Sequence, residues 1–337
     1  MNLTNPKYSK FALVREMLET TDVVRKFDPS VAAAYAGKAL AKKGLFLTGE
    51  GSSRIFPAKR AMYDNLKWGA PLSIFTEGCT QALEYGLNDL AVFGASNSGQ
   101  TKEVIRLFMK LQEEKHDALF GLTANHGTKL ASLAHETHVL NCGKEDAVAA
   151  TKSVIEQGLF YDAVIRQMLG KCLCGFDELP DQIDQALTLE IDPEIVQAAS
   201  HADMIYFAGR NNGVVEELTL KTNEITRKKS DFLEGTYAVH GIEEVMDKNE
   251  VVIIVEPYAS EEEKFMECLV KGVGMKVIAI SSRQTSFPTV IIPDGGKMSS
   301  YVELAAGWNL LVDIGLALGI DLDKPVRARK IGNEFVL

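Results

Sequence analysis

Residues 96–101 (Ser-Asn-Ser-Gly-Gln-Thr) have the composition of a phosphate-binding turn. They lie between residues 89–94, which read as a buried strand, and residues 102–111, which have the apolar spacing of an amphipathic helix. The first N–H groups of a helix have no intrahelical partner and carry the positive end of its dipole, so an oxyanion is stabilised there. The side chains that would add neutral donors are those of Ser96, Asn97, Ser98 and Thr101. A second interpretation is that these hydroxyls only cap the helix.

Residues 49–53 (Gly-Glu-Gly-Ser-Ser) form a second candidate turn, after a predicted strand at 44–48 and before a helix from Pro57 onward. Ser52 and Ser53 would add hydroxyls to the same anion if the two strands are neighbours. The third glycine of the dinucleotide fingerprint is absent, and the sequence has no Gly-Lys-Ser/Thr phosphate loop. Nicotinamide chemistry and nucleoside triphosphate hydrolysis are therefore disfavoured.

Glu224 and His240 are a candidate acid/base pair. Together with the turn at residues 96–101, such a pair suggests chemistry on a phosphorylated small molecule, most plausibly a sugar, with Glu224 as the candidate base. Histidine is the residue type whose ordinary titration lies near neutrality, which suits it to the acid or base role in such a pair. Lys221 precedes Glu224 by three residues on the same helical face and would orient it or bind a substrate oxygen. In the alternative interpretation, Glu224 belongs to a solvated ion pair on the helix surface and His240 is a loop residue.

Strands and helices alternate in two similar halves, which predicts an α/β fold with parallel sheets covered by helices on both faces. The predicted strands lie near 44–48, 71–76, 89–94, 118–123 and 137–141 in the first half and near 204–208, 251–256, 276–281 and 289–292 in the second. Residues 45–49 and 205–209 are both strands that end in glycine and lead into a helix, which indicates an internal duplication. In the second half, residues 256–263 match the turn at 96–101 but carry four glutamates, so only the first half is expected to bind the anion.

The composition is that of a globular protein without a nucleic-acid or membrane partner. The chain has 337 residues, of which 46% are hydrophobic, enough for two cores. A formal net charge of −10 disfavours general binding to nucleic acid or to anionic membranes. No apolar run has membrane-spanning length, and the N-terminus lacks the pattern of a signal peptide. These features predict a cytoplasmic protein.

The cysteines and histidines do not predict a disulfide framework or a metal site. Five cysteines, an odd number, are scattered along the chain, so reduced thiols are expected. The pairs Cys172/Cys174 and His135/His138 each lack the second pair of ligands that zinc needs.

Several segments resemble the tandem sugar isomerase (SIS) domain family, in particular the isomerase half of glucosamine-6-phosphate synthase and the SIS-type glucosamine-6-phosphate deaminases. Residues 96–101 resemble the family's Ser-Gln-Ser-Gly-Glu-Thr phosphate loop, and residues 145–152 resemble its Glu-Ile-Gly-Val-Ala-Ser-Thr-Lys motif. Residues 220–225 are similar to the segment that bears the family's catalytic glutamate, and His240 with the following glycine falls where the family has its ring-opening His-Gly. Lys330 corresponds to the catalytic lysine of the family's C-terminal tail.

The resemblance implies two SIS domains, each a parallel sheet between helices in a flavodoxin-like three-layer sandwich. The implied division is an N-terminal helical segment (1–30), a first, phosphosugar-binding domain (31–174), a linker (175–193), a second domain with the catalytic Glu and His (194–325), and a tail with the catalytic Lys (326–337). The implied phosphate ligands are Ser53, Ser96, Asn97, Ser98 and Thr101, with Val148 and Ala150 lining the sugar. Glu224 would be the base that moves a proton between C1 and C2 of the open-chain sugar phosphate, and His240 would open the ring. Lys330 would stabilise or covalently trap the open-chain carbonyl.

The resemblance further implies a phosphosugar isomerase acting on an amino sugar 6-phosphate. The leading hypothesis is a glucosamine-6-phosphate deaminase that yields fructose 6-phosphate and ammonia. The alternatives are a deglycase of a fructosamine 6-phosphate, the isomerase subunit of a glutamine-fructose-6-phosphate aminotransferase with a separate glutaminase subunit, and a non-catalytic phosphosugar sensor. A proton shuttle needs no metal or organic cofactor. The family also implies a homodimer with active sites shared between subunits, the partner chain supplying the histidine.

Two departures from the family pattern bear on the substrate. Ala150 stands where the motif has serine, which removes one hydroxyl near the sugar. The segment after Glu224 is unusually basic, with Arg227, Lys228 and Lys229 in a row.

Overall fold

The computed structural model describes residues 1–172, 174–327 and 334–335. The chain forms two compact units, each with one five-stranded sheet. The first-sheet unit consists of residues 22–145, 150–176 and 334–335. The second-sheet unit consists of residues 1–21, 146–149 and 177–327. Lys330, the predicted catalytic lysine, lies outside the described residues.

The α-helices follow the predicted alternation with strands. They are α1 Pro6–Ser9, α2 Ala12–Lys26, α3 Ala32–Ala39, α4 Ile55–Lys67, α5 Cys79–Ala82, α6 Lys102–Glu113, α7 Lys129–Leu133, α8 Lys152–Met168, α9 Leu179–Thr188, α10 Pro193–His201, α11 Val214–Ile225, α12 Glu262–Phe265 and α13 Ser299–Ala317. A π-helix, Met266–Val273, continues α12. In the described part of the chain, no helix combines the length and the apolarity that crossing a membrane requires.

The first sheet is parallel and contains the five strands predicted for the first half, with ends shifted by up to two residues. The strands are β1 Gly44–Gly49, β2 Ser73–Gly78, β3 Leu90–Ala95, β4 Leu119–Thr123 and β5 Glu136–Val139. Their order in the sheet is β2-β1-β3-β4-β5. Every residue of β1 and β4 is buried, as expected for central strands that are covered on both faces.

The second sheet is also parallel, and one of its strands was missed in the sequence. The strands are β6 Met204–Gly209, β7 Lys229–Glu234, β8 Val251–Val255, β9 Lys276–Ser281 and β10 Thr289–Ile291, in the order β10-β9-β8-β6-β7. Four of them match predicted strands, whereas β7 lies in a segment predicted without one. Among the described strands, β7 lies at the edge of the sheet and pairs only with β6. It therefore carries Lys, Ser, Asp and Glu and lacks a continuous apolar run.

The two sheets share one topology. Counted from the start of each unit, both have the order second-first-third-fourth-fifth, which supports the predicted internal duplication. In a sheet of this order the connections reverse direction between the first and third strands, β1 and β3 in one unit and β6 and β8 in the other. Ligands of open parallel sheets bind outside the carboxyl ends of the strands at this switch point. The loops that follow these strands are therefore the candidate site loops.

Aromatic side chains fill the core of the first-sheet unit. Phe93 on β3 stacks on Phe120 on β4 with ring centroids 4.7 Å apart. His138 on β5 stacks on Phe160 of α8 at 4.5 Å, and the edge of Tyr35 meets the ring of Phe160. These contacts fix α3 and α8 against the sheet and so fix the loops that lead into α8.

The segment predicted as a linker, residues 175–193, contains helix α9. This helix packs against α13 within the second-sheet unit and begins with Pro180 in its first turn. The predicted domain boundaries and the three-layer description of each domain stay predictions.

Candidate active-site residues

The turn after β3, residues 96–101, holds its hydroxyl groups close together. The Oγ atom of Ser96 lies 2.7 Å from Oγ1 of Thr101 and accepts a hydrogen bond from the Thr101 N–H at 3.3 Å. The N–H of Gly99 donates to the carbonyl oxygen of Ser96 at 2.9 Å. Thr101 is the N-cap residue of α6, but its side chain makes no capping hydrogen bond. The interpretation that its hydroxyl only caps the helix is therefore wrong, and the start of α6 keeps the donor character that an anion needs.

The neighbouring β4–α7 connection anchors this turn. The carbonyl oxygen of Gly99 accepts from the N–H of Leu130 at 3.1 Å, and that of Asn97 accepts from the N–H of Ala124 at 3.0 Å. Gly99 has φ +66°, and a Cβ atom there would lie 2.4 Å from the side chain of Thr128. A glycine is therefore required both by the left-handed backbone and by the close approach of Thr128.

Glu145 connects residues 96–101, here called the phosphate turn after their predicted ligand, to the start of α8. Its buried carboxylate accepts hydrogen bonds from Nδ2 of Asn97 at 2.9 Å, from the N–H of Thr151 at 2.7 Å and from Oγ of Ser153 at 2.6 Å. One carboxylate thus caps a 17-residue helix and fixes the side chain of Asn97. Glu145 was not predicted as a site residue, although it is the first residue of the 145–152 motif and that position could have suggested it.

The same interaction commits one N–H of the Asn97 amide to Glu145. The Oδ1 atom of Asn97 is buried without a hydrogen-bond partner in the described part of the chain. Of the groups of Asn97, the main-chain N–H and the second amide N–H are the donors that can reach a bound anion.

The turn after β1 adjoins the phosphate turn through the sheet, as the sequence interpretation requires. β1 and β3 are hydrogen-bonded neighbours, so both turns leave the carboxyl edge of the sheet at its switch point. Gly51 has φ +54° and begins a short 3₁₀ turn over Gly51–Ser53, in which Ser52 is buried and Ser53 is half-buried. Glu50 accepts a hydrogen bond from the N–H of Cys79 at 2.9 Å, and burial raises the pKa of its carboxyl group.

In the second-sheet unit, helix α11 carries a buried lysine between two glutamates. Nζ of Lys221 lies 2.8 Å from Oε2 of Glu224 and 3.2 Å from Oε1 of Glu217. The side chains of Lys221 and Glu217 are 0% exposed and that of Glu224 is 22% exposed. Burial disfavours the ammonium form, but the carboxylates of Glu224 and Glu217 outweigh it and raise the pKa of Lys221. The interpretation as a solvated surface pair is therefore wrong.

Glu224 lines a cavity of about 560 Å³. This space is here called the Glu224 cavity. The described residues that line it are Asn223, Glu224, Arg227, Lys228, Lys229, Pro325, Val326 and Arg327. All of them belong to the second-sheet unit. The volume is in the range of small-molecule sites. A carboxylate held by a buried ammonium thus faces a space of substrate size, which is the arrangement that a general base needs.

His240 lies in the loop between the 3₁₀ turns Tyr237–Val239 and Ile242–Glu244, and it is exposed. Its Nε2 atom lies 3.2 Å from Nζ of Lys264. Within the described residues, His240 and Glu224 share no hydrogen bond or ion pair. The structure therefore does not join the predicted acid/base pair.

The predicted sugar-lining residues Val148 and Ala150 are both half-buried. The backbone next to Val148 is held by the buried carboxylate of Glu16, which accepts hydrogen bonds from the N–H groups of Asp146 and Ala147. Glu16 was not predicted, because 130 residues separate it from Asp146. Among the described residues, no group of three or more His, Cys, Asp or Glu side chains is arranged to hold a metal ion.

Comparison with known proteins gives a family for part of the chain and a fold for nearly all of it. Residues 41–166 match the model of the SIS domain. No curated protein matches the chain by sequence.

Solved structures of three enzymes superpose on the chain at 18–20% sequence identity. The tagatose-6-phosphate ketose/aldose isomerase of Escherichia coli does so with a TM-score of 0.78 at 18% identity, over 96% of this chain and 98% of that one. The C-terminal domain of glucosamine-fructose-6-phosphate aminotransferase from Francisella tularensis gives 0.77 at 18% identity, over 94% and 98%. The glucosamine-6-phosphate deaminase of Thermotoga maritima gives 0.71 at 20% identity, over 96% and 98%. At sequence identities this low, the structural match shows that the fold is shared and no more than that.

Proposed function

Because residues 41–166 are a SIS domain, we propose that this protein is a phosphosugar isomerase that acts on an amino sugar 6-phosphate. The reaction we favour is the deamination of glucosamine 6-phosphate to fructose 6-phosphate and ammonia. The observation that carries the proposal is Glu224, a carboxylate that lies 2.8 Å from a buried ammonium and lines a cavity of substrate size.

The first-sheet unit binds the 6-phosphate in this proposal. The N–H groups at the start of α6 and the hydroxyls of Ser52, Ser53, Ser96, Ser98 and Thr101 are the donors. All the donor side chains are neutral, so the positive end of the helix dipole supplies the attraction for the dianion. Glu145 holds the turn in the binding geometry through Asn97.

The second-sheet unit performs the proton transfer. Glu224 takes the proton from C2 of the open-chain sugar and returns it to C1, which converts the C1 aldehyde to an alcohol and the C2 amine to an imine. Water adds to the imine carbon, the C2–N bond breaks, and fructose 6-phosphate and ammonia leave. Lys221 fixes the carboxylate during both transfers. His240 opens the ring and Lys330 stabilises the open-chain carbonyl in this scheme.

The test is to incubate the purified protein with glucosamine 6-phosphate and to measure ammonia and fructose 6-phosphate. Glu224→Gln keeps the shape of the side chain and removes the base, so we expect kcat to fall by about 10²- to 10⁴-fold. Glu267→Gln, at an exposed position of the π-helix, is the matched control and should leave kcat unchanged. A Glu224→Gln enzyme with full activity would contradict the proposed mechanism.

The same assay separates the remaining candidates. Turnover of a fructosamine 6-phosphate with none of glucosamine 6-phosphate would identify a deglycase. Glutamine-dependent synthesis that appears only when a glutaminase subunit is added would identify half of a split aminotransferase. Binding of sugar phosphates without turnover would identify a sensor.

We also propose a homodimer with shared active sites. In support, His240 contacts Lys264 rather than Glu224 among the described residues, so a histidine for the Glu224 cavity would come from a second copy. Mixing Glu224→Gln and His240→Asn proteins should then restore part of the activity, since one of the two mixed sites is intact. For location we propose the cytoplasm, because no disulfide joins the cysteines in the part of the chain that the structure describes.

A further inference from the structure

Two cysteines, Cys172 and Cys174, lie one residue apart in the connection between α8 and α9. Both side chains are exposed, and no disulfide joins them. The connection contains the point at which the chain passes from the first-sheet unit, at residue 176, to the second-sheet unit, at residue 177. Reagents in the solvent can therefore reach both sulfur atoms.

The guanidinium group of Arg166 holds the backbone of both cysteines. Its Nη1 atom donates to the carbonyl oxygen of Cys172 at 3.2 Å and to that of Cys174 at 2.7 Å. Because both carbonyl groups point at one nitrogen atom, the two peptide groups cannot turn away from each other. The relative orientation of the two cysteines is thus set by a third side chain.

Arg166 is itself held firmly near the end of α8. Its side chain is 3% exposed, and its Nε atom donates to Oδ1 of Asp162 at 2.8 Å. Asp162 also pairs with Arg60 at 3.1 Å. The guanidinium carbon of Arg166 lies 5.4 Å from the centre of the Trp68 ring and 5.5 Å from that of Phe176. A buried clamp within the first-sheet unit therefore positions an exposed pair of thiols.

The two thiols contact each other in this arrangement. A hydrogen bond with the thiol of Cys174 raises the pKa of the Cys172 thiol above its ordinary value. A disulfide requires Cβ atoms about 3.5–4.5 Å apart, and sulfur atoms that already share a hydrogen bond are close to that arrangement. Closing a bridge between them therefore requires little movement of the clamped backbone.

The other three cysteines lack this combination of exposure and a neighbouring thiol. Cys79 and Cys142 are buried, and burial raises the pKa of both thiols, that of Cys79 to about 12. Since the thiolate is the reactive form, these two are protected. Cys268, in the π-helix, is half-buried and is the sole cysteine in the sequence of the second-sheet unit.

We propose that Cys172 and Cys174 are a redox-sensing site, presented by the Arg166 clamp, that closes to a disulfide on reaction with a small-molecule disulfide such as oxidised glutathione. The proposal is independent of the isomerase activity, because no residue of the phosphate turn or of the Glu224 cavity takes part. In a reducing compartment such a bridge is transient and reports the redox state.

The reaction balances with oxidised glutathione as the only co-reactant. The thiolate of one cysteine attacks a sulfur atom of glutathione disulfide, a new S–S bond forms, the old one breaks, and one glutathione leaves. The second cysteine loses its proton and attacks the first, which releases the second glutathione. Two protein thiols are oxidised, and one glutathione disulfide is reduced to two thiols.

The test is to equilibrate the purified protein in mixtures of reduced and oxidised glutathione, to alkylate the remaining thiols and to map them by mass spectrometry. We expect Cys172 and Cys174 to lose alkylation together, and the peptide that carries both to lose two hydrogens. Cys268 is the control within the same chain, and it should be either alkylated or joined to glutathione. Glutathione that stays attached to Cys172 or Cys174 as the final product would overturn the proposal.

Single substitutions test the second step of the reaction. Cys172→Ser should stop at glutathione joined to Cys174, and Cys174→Ser should stop at glutathione joined to Cys172, because neither variant has the second sulfur. Cys268→Ser is the matched control and should form the bridge as the wild type does. Loss of the bridge in Cys268→Ser would assign the disulfide to a different pair and contradict the proposal.

The role of the Arg166 clamp is tested by unfolding the same chain. If the fold presents the two thiols to each other, half-oxidation of the pair should require at least about tenfold less oxidised glutathione in buffer than in concentrated urea, at the same concentration of reduced glutathione. Peptide mapping reads the pair separately from Cys79 and Cys142, which unfolding exposes. Equal values in buffer and in urea would show that the spacing in the sequence alone joins the thiols, and the clamped site would be wrong.

Discussion

The turn after the third strand differs between the two sheets, although the sheets have the same strand order. After β3, residues 96–101 present hydroxyls and amides and lead into α6, which has 12 residues. After β8, residues 256–261 begin and end with glutamate and lead into α12, which has four. A shared topology therefore supplies the same location at the switch point twice, and the side chains decide whether an anion binds there.

The turn at residues 256–261 and the start of α12 contain carboxylates that are bound by donors of the same chain. Glu256 accepts hydrogen bonds from Oγ of Ser281 at 3.1 Å and from the N–H of Ser282 at 2.6 Å. Glu262 accepts from the N–H of Ser286 at 2.8 Å and pairs with Arg283 at 2.5 Å. Burial opposes the ionised form of Glu262, but these two partners outweigh it and lower the pKa of that carboxyl group. In the second sheet, the donors next to the turn after β8 thus hold glutamates of the same chain.

Among the substitutions that test this difference between the two turns, Gly99→Ala should reduce anion binding the most. A methyl group at Gly99 would meet Thr128 at 2.4 Å on a backbone with φ +66°, so the phosphate turn must shift. We expect the affinity for glucose 6-phosphate to fall at least about 100-fold and the free energy of unfolding to fall by about 2–4 kcal/mol. Calorimetric titration and urea denaturation measure the two quantities.

Gly143→Ala is the matched control for this substitution. Gly143 has a similar φ of +71°, but no atom lies within 4 Å of the position of its Cβ. It should cost only the backbone strain, about 1–2 kcal/mol, and leave the affinity for glucose 6-phosphate unchanged. Equal losses of affinity in the two variants would show that the contact between Gly99 and Thr128 does not shape the site.

Glu145→Gln tests how far the phosphate turn depends on a distant carboxylate. The glutamine amide would turn an N–H donor toward the donors of Asn97, Thr151 or Ser153. We expect the affinity for glucose 6-phosphate to fall about 30-fold and the free energy of unfolding to fall by about 2–3 kcal/mol. Glu113→Gln, at an exposed end of α6, should change neither value. A stability loss without any loss of affinity would assign Glu145 to the fold alone.

Acid should destabilise the first-sheet unit through a residue that has no counterpart in the second sheet. His138 on β5 has a buried Nε2 atom without a partner among the described residues, and burial lowers its pKa to about 4, whereas β10 is Thr-Val-Ile. Between about pH 6.5 and pH 4 the unfolded chain binds a proton at this residue that the folded chain does not bind. Stability from this residue is therefore full above pH 6.5 and is lost as the pH falls toward 4, by about 2–3 kcal/mol.

His138→Phe removes that proton-binding site and keeps a ring to stack on Phe160. The difference in free energy of unfolding between pH 7 and pH 4.5 should shrink by about 2 kcal/mol relative to the wild type, as measured by urea denaturation at both pH values. His126→Gln, at an exposed loop position, is the control and should behave like the wild type. An unchanged pH dependence in His138→Phe would place the acid sensitivity elsewhere.

The first sheet and the strand-to-helix turn at residues 96–101 could be predicted because their sequence patterns are local. An apolar strand, the Ser-Asn-Ser-Gly-Gln-Thr segment that follows it and the amphipathic helix after that segment define the turn without reference to the rest of the chain. Lys229–Glu234 could not be recognised as β7, because an edge strand needs no apolar run and its partner, β6, is 20 residues away at the nearest ends.

The carboxylates that hold the site loops were missed for a similar reason. Glu145 contacts Asn97 across 48 residues, and Glu16 contacts Asp146 across 130. The sequence around a single acidic residue does not indicate which distant N–H groups will donate to it. The ion pair of Lys221 and Glu224 was found from its helical spacing, but the complete burial of Lys221 depends on packing that the spacing does not contain.

A serine in each turn gives the smallest and most direct test of the contrast. Ser98 is exposed, and its Oγ accepts from the N–H of Gln100 at 3.1 Å, so its hydroxyl hydrogen can donate to a phosphate. The hydroxyl of Ser260, in the turn at residues 256–261 after β8, already donates to Glu261 at 3.1 Å. Ser98→Ala should raise the Kd for glucose 6-phosphate about three- to tenfold in a calorimetric titration, and Ser260→Ala should leave it unchanged. The reverse result would move the phosphate to the second sheet, where it would have to displace glutamates that Ser281, Ser282 and Arg283 already hold.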